Sequence, residues 1–406
     1  MDIDSETSAR LRSKSEKWRA RLDSEIANIG VYSRDLGQLK ERILPIAARA
    51  DEMFKKAKAL ENSDYLAAAY ESYVVAAVLA GITKDAARFL QAGAKQDFDA
   101  LVAQVRAAAS VKGQLSATIS EAEVLARRKT GGGQINTLRA YQSAVIANAY
   151  TSMADAAVEI VDALLEKRNK GTLKAEENET LGNQMFQAIY YYSIAKTMLD
   201  VAEDQKDFGG EEGQAAPIAP ATIGNFAAAY GSAAGAVLQY LESLTLEDAA
   251  REAGVDKATA QQRFAANDED YLIAFRAVQL AEGISGTKNE NNLLRLAAGS
   301  MAFLRGASLV NKYYSLGGVK DEQDKLTLTN RKALSAQLDL GRQLAREAAA
   351  KAKKGGGFVP VAARIAYQLG IAKREGDDEE KLAALEAFWE SAFWSELAAT
   401  ATPAKK

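Results

Sequence analysis

The sequence predicts an all-α fold of tetratricopeptide-like helical hairpins, arranged as an α-solenoid or a compact helical array. Three observations carry this. Alanine makes up roughly a fifth of the 406 residues and there are only 5 prolines; alanine has the best helix propensity and lets helix backbones approach closely. Apolar and aromatic residues recur three and four apart, the spacing of a helix face. Glycine-containing breaks between the runs are short, and short links favour antiparallel neighbours.

Residues 5–28 read as a charged amphipathic helix with Leu11, Trp18, Leu22 and Ile26 on one face. Such a helix caps the end of an array. A second helix is expected over 33–60, kinked or split at Pro45 because proline lacks the amide donor. Asn62-Ser63-Asp64 supplies a turn and an N-cap, and a helix over 64–80 follows, closed by Gly81 at the C-terminal cap position. This run carries Tyr65, Tyr70 and Tyr73, and degenerate versions return at 184–203, 270–283 and 388–399. Tyr73 and its neighbours are expected to pack against the preceding helix.

Further helices are expected over 84–110, 115–128, 135–168 and 175–203, with a loop at 129–134. Residues 204–220 hold Gly209, Gly210, Gly213, Pro217 and Pro220 and read as a loop or hinge. The second half opens with a helix over 221–242, whose small residues at 227–235 permit close helix approach. Two short helices follow, then helices over 268–283, 289–316, 327–354, 359–375 and 378–399. The expected organisation is long N-terminal helices (1–60), a first array (61–204), a hinge (205–220), a second array (221–400) and a tail (401–406).

Composition removes several chemistries. The net charge is −3, from 51 basic and 54 acidic residues, so no basic excess points to nucleic acid. The chain has no cysteine and no histidine. Disulfides, thiolate metal sites, cysteine nucleophiles, Ser-His-Asp catalysis and histidine-held zinc or haem are thereby excluded. The N-terminus is acidic and lacks the basic start and apolar run of a signal peptide. No uninterrupted apolar stretch reaches about 18 residues, so no membrane span is expected. The compartment stays open.

Four motifs invite a chemical reading. Lys129-Thr-Gly-Gly-Gly-Gln134 has the glycines of a phosphate loop, but its lysine precedes them and no strand leads in. It reads as an interhelical loop, as does Lys353-Lys-Gly-Gly-Gly357. Residues 246–260 resemble a DNA-binding helix-turn-helix, with Ala250 and Gly254 in place. Ala260 and Arg263 stand where apolar packing residues belong, so a helical hairpin is the better reading. The acidic groups Asp268-Glu-Asp270 and Asp377-Asp-Glu-Glu380 sit at expected helix starts, where carboxylates favour the dipole.

Residues 39–57 (Leu39-Lys-Glu-Arg to Met53-Phe-Lys-Lys-Ala57), then Asn62-Ser-Asp-Tyr-Leu-Ala-Ala-Ala69 and the late run from Val359-Pro-Val to Lys381-Leu-Ala-Ala-Leu-Glu-Ala-Phe-Trp389, carry a family resemblance. They resemble the helical region that follows the protease domain in archaeal-type Lon-like serine proteases. That peptidase uses a Ser/Lys dyad in a mixed α/β domain, and this chain shows no such domain, so no catalytic residue is transferred. The resemblance implies a helical accessory region or a stand-alone relative of one.

No catalytic residue, cofactor site or metal site is assigned. The expected function is a non-catalytic helical scaffold that binds protein or peptide segments. Its candidate partner-binding residues are the aromatics Tyr65, Tyr73, Tyr192, Trp389 and Trp394. The alternative is the accessory region of a larger Lon-like protease, acting as spacer or substrate-gathering module.

Overall fold

A computed structural model describes residues 1–32, 48, 51–52, 54–55, 63–94, 97–129, 131–208, 217–251, 268–287, 291–320, 325–354 and 357–401. The fold is all-α with one small antiparallel hairpin. The helices are α1 (Ser5–Tyr32), α2 (Ser63–Ala94), α3 (Phe98–Ala108), α4 (Val111–Arg128), α5 (Gly131–Asn169) and α6 (Ala175–Phe208). Then come α7 (Pro220–Arg251), α8 (Glu269–Ile284) and α9 (Asn292–Leu309), which ends in a π turn over Val310–Ser315. Strands β1 (Gly318–Lys320) and β2 (Leu326–Leu328) precede α10 (Arg331–Lys354), α11 (Val361–Lys373) and α12 (Asp378–Ala401).

The hairpin α5–α6 is the spine. Its register can be read from three pairs that move apart on either side of the link. Lys167 pairs with Glu177 at 2.5 Å, the Tyr192 hydroxyl donates to Asp155, and the Ser143 hydroxyl donates to Gln205 at 2.7 Å. These partners run oppositely in sequence, so the two helices are antiparallel over most of their length. One hydrophobic cluster takes residues from α2 through α12, including Tyr141, Met185, Leu238, Leu296 and Trp394. The cluster therefore draws on both sides of the 205–220 segment. The Gln134 side chain ties the end of that segment to α5, accepting from the Ile218 amide at 2.8 Å.

A second cluster seats α1. Leu11, Trp18 and Leu22 are buried against α2 and α6, as the amphipathic spacing predicts. At its centre is Asp204, which is fully buried. It accepts from the Trp18 indole at 2.6 Å and from Lys14 and Lys17 at 3.0 and 2.9 Å. Arg21 and Asp200, one turn further along, pair at 2.6 Å.

Helices α7 and α9 run parallel. Gly224 meets Asn292, Gly231 meets Gly299 and Val237 meets Gly306, so partners advance together along both chains. A Cβ on Gly299 would lie 2.8 Å from the Gly231 backbone nitrogen. Backbones this close need glycine, and α8 is the return helix that makes a parallel pair possible. The small-residue run at 227–235 thus serves the close approach expected of it.

Several expected boundaries are corrected. Gly81 does not stop a helix: α2 runs on through it to Ala94. A Cβ there would meet nothing within 4 Å and its φ is not positive, so nothing in the packing or backbone asks the helix to end. Gly131–Gly133 form the first turn of α5 rather than a loop. Asp204–Phe208 belong to α6, held helical by the buried contacts of Asp204 and Phe208. Leu246–Arg251 continue α7, where a separate short helix was expected. The break expected after residue 316 carries β1 at Gly318–Lys320, with Gly317 at φ +61° just before it, and the helix expected from 327 starts only at Arg331 because Leu326–Leu328 pair with β1 as β2. Leu326 and Leu328 are buried and Thr327 is exposed, an alternation too short to read in advance. The expected kink at Pro45, the rest of the helix-turn-helix-like run after Arg251 and residues 209–216 of the expected hinge lie outside the described residues.

Two helices meet a looser test, of average composition rather than an uninterrupted apolar run. Tyr65–Gly93 and Asn292–Ser315 have the length and mean hydropathy, 1.5 and 1.3, of a membrane-crossing helix. Alanine and the scarcity of charge raise these averages without a run of large apolar side chains. Within the fold, 67% and 61% of the two apolar windows are buried, so both are core helices here.

Candidate functional site

A cleft of about 520 Å³ lies between α2, α3, α4 and α6. Its walls follow helix periodicity. Ala100, Ala103, Gln104 and Ala107 form one stripe of α3, and Ile189, Tyr192, Ser193 and Lys196 form the facing stripe of α6. Asp85 and Arg88 close one side from α2, and Gln114 closes the other from α4. The space exists because alanine methyls on α3 are too short to fill the gap to α6. Capping fixes α3 in place: the Asp97 side chain accepts from the Ala100 amide at 3.0 Å.

The chemistry of the walls is mixed. Desolvation raises the pKa of the half-buried Asp85 carboxyl, and Lys84 with a hydrogen bond from Ser193 opposes the shift only in part. Arg88 and Lys196 are exposed cations at the mouth. Tyr192 is a wall rather than a free hydroxyl. Its ring is buried, its hydroxyl donates to Asp155, and burial with that carboxylate pushes the phenol pKa well up. Lys112 pairs with Asp155 at 2.6 Å and lies 6.0 Å from the Tyr192 ring.

Of the five aromatics singled out in the sequence, Tyr192 alone lines this cleft. Tyr73 is buried, donates its hydroxyl to Asp51 and meets Phe54 edge-on at 6.1 Å. That places it against the preceding segment, as expected, and inside the core. Trp394 is fully buried, donates its indole N–H to Glu390 at 2.9 Å and packs on Phe393 at 4.7 Å. Tyr65 and Trp389 are half-buried, the first against the α1–α2 cluster and the second beside Gly341 of α10. The five do not form one surface. Large aromatic rings gain most from full burial, and here the core claims them.

The polar lining of the cleft, Asp85, Arg88, Gln104 and Lys196, was not singled out in the sequence. Its signal is present as two stripes at helical spacing. Reading it requires knowing that α3 faces α6, which local periodicity does not give.

A second recess, about 190 Å³, lies between α5, α6, α9 and α12 and is walled by Arg139, Arg305, Glu386 and Glu390. Its charges answer one another. Arg139 pairs with Glu390 at 3.2 Å, Arg305 with Asp270, and Ser308 donates to Glu386. The two acidic runs act as helix caps. Asp377 and Glu380 cap each other reciprocally, at 2.9 and 3.2 Å, and Asp268 accepts from the Asp270 amide at 3.1 Å. Among the described residues, no group of three carboxylates is placed to hold a metal ion. In comparisons with protein-family models, curated proteins and solved structures, the chain matches none.

Proposed function

We propose that this chain is a non-catalytic helical scaffold that binds a protein or peptide segment in the cleft between α2, α3, α4 and α6. The observation that carries the reading is the cleft itself. Its volume of about 520 Å³ falls within the range of ligand sites, roughly 300–1,000 Å³. Its alanine and isoleucine floor accepts apolar side chains. The amides of Gln104 and Gln114 and the hydroxyls of Ser110 and Ser193 can each pair with an extended backbone, which presents both donors and acceptors. The cleft is walled in part by α6, one arm of the antiparallel hairpin α5–α6 on which the tetratricopeptide-like reading rests. A site preformed on such helices loses little ordering entropy when it is filled.

The test is to fill the cleft. Ala107 is exposed on α3 and lines it, so Ala107→Trp adds bulk there without disturbing the core. Peptides selected on the native chain from a random array are expected to lose affinity by about tenfold or more, about 1.4 kcal/mol. The melting temperature is expected to stay unchanged. Selected peptides that bind both chains equally contradict the cleft as the site.

A further inference from the structure

The recess between α5, α6, α9 and α12 is built by helix stripes that bring charge inward. Arg139 and Ile146 lie seven apart on α5, Met301 and Arg305 four apart on α9, and Glu386 and Glu390 four apart on α12. The pairing of these charges is uneven. Arg139 meets the Glu390 carboxylate at 3.2 Å, and the Trp394 indole donates to the same oxygen at 2.9 Å. Glu386 has only the neutral Ser308 hydroxyl as its hydrogen-bond donor and forms no ion pair with any described residue. Arg305 is held by Asp270 through one guanidinium nitrogen, and Lys312 is held by Asp268, so both act on Glu386 only from beyond ion-pair distance. A guanidinium carries five N–H donors and a carboxylate two acceptor oxygens, so Arg305 and Glu386 each keep unused capacity. A partly buried carboxylate without a cation is costly, and desolvation raises the Glu386 pKa accordingly.

We propose that this recess binds an amino-acid-sized zwitterion, its ammonium on Glu386, its carboxylate on Arg305 and an apolar side chain against Ile146 and Met301. The volume sets the size. A cavity of roughly 150 Å³ holds benzene, so about 190 Å³ takes a molecule of about eight non-hydrogen atoms, the size of valine. The charges set the class. The walls carry two cations and two carboxylates, so neither a simple cation nor a simple anion is favoured as a whole, whereas a zwitterion bridges the one pair the fold leaves open. A neutral polyol would leave Glu386 without a cation. The recess shares no lining residue with the peptide cleft, so the two readings stand or fall separately.

Isothermal titration calorimetry on the full chain tests this with four probes: L-valine, isobutylamine (which lacks the carboxylate), isovalerate (which lacks the ammonium) and glycerol. L-Valine is expected to bind at least about tenfold more tightly than isobutylamine or isovalerate, since each of those loses a charge-assisted hydrogen bond. Glycerol should give no binding heat. Glu386→Gln, which can still accept from Ser308, should weaken L-valine by at least about tenfold while the circular dichroism stays that of the native chain. The probe series on the native chain decides the matter even where the variant fails to fold. Absence of L-valine binding overturns the proposal, as does equal binding of L-valine and either single-charge probe, or glycerol binding as tightly as L-valine. L-Valine binding that a folded Glu386→Gln variant leaves intact overturns it too. Displacement of L-valine by a peptide that occupies the α2, α3, α4 and α6 cleft would place the zwitterion elsewhere and leave the peptide reading standing.

Discussion

Asp204 is fully buried, and three side chains of α1 converge on its carboxylate: Lys14, Lys17 and Trp18. A fourth group, the Tyr70 hydroxyl of α2, stands 3.5 Å away. Burying a charge costs several kcal/mol unless it is paired and hydrogen-bonded, so this aspartate is stable in the core only while α1 is docked. Asp204→Ala should therefore cost about 3–5 kcal/mol and loosen α1. Lys17→Ala, at a side chain 51% exposed, should cost less than about 1 kcal/mol. Urea unfolding checks both, and equal small losses would contradict the clasp. Nothing local in the sequence marks Asp204, because its partners lie nearly 190 residues away. Trp18 was legible as a buried face residue, but the bond its indole makes was not. Tyr73, Tyr192 and Trp394 were legible as important. Their placement in core or surface depended on which helix each one met.

The α7–α9 pair shows how far helix contacts can be tested one methyl at a time. Gly231 and Gly299 face each other, yet they are not equivalent. A Cβ on Gly299 would strike backbone at 2.8 Å, whereas one on Gly231 would meet nothing within 4 Å. Gly299→Ala is thus expected to destabilise the protein by about 1–3 kcal/mol through overpacking. Gly231→Ala should be neutral or stabilising by up to about 1 kcal/mol, since alanine outranks glycine inside a helix. Denaturant midpoints for the two variants check this, and the opposite order would contradict the parallel register. Helix existence was readable from alanine content and apolar spacing for nearly every described element. Helix ends were not. Glycine at 81 suggested a break that is absent, whereas the glycines at 131–133 do follow a real one, where Gly131 has a positive φ; glycine marks an end only where the backbone needs a positive φ or a neighbour stands too close. Long-range packing decides that, as it also decides the hairpin at 318–328.

Stability of the whole molecule should depend on pH in two opposing ways. Desolvation holds Asp85, Glu269 and Glu386 above the ordinary carboxylate range. Their contribution is present at low pH and is lost as pH rises through the folded values. Asp268 and Asp378 are also desolvated, but Lys312 and Tyr313 on the one, and Arg331 with the Leu328 amide on the other, bring both below that range. Their contribution is present at higher pH and is lost as pH falls through the folded values. The melting temperature should rise as pH falls from neutral through the raised folded values and drop again as pH falls through the lowered ones. Glu386→Gln, which can still accept from Ser308, should flatten the rise. A melting temperature that falls steadily from pH 7 would contradict this balance.

The all-α class followed from composition, whereas the single cluster spanning α2 to α12 did not. A glycine- and proline-rich segment reads as a divider when its flanks are seen one at a time, and only tertiary contact shows that both flanks share a core. The same is true of the cleft, whose two stripes are separated by the whole of α4 and α5. The measurement that tests its role most directly is amide hydrogen exchange on the full chain, with and without a saturating peptide selected on that chain. Slowed exchange confined to residues 100–114 of α3 and α4 and 189–196 of α6 is the predicted result. Slowed exchange centred elsewhere, for example on the exposed Leu340 and Leu344 face of α10, would contradict it, as would no change at any site.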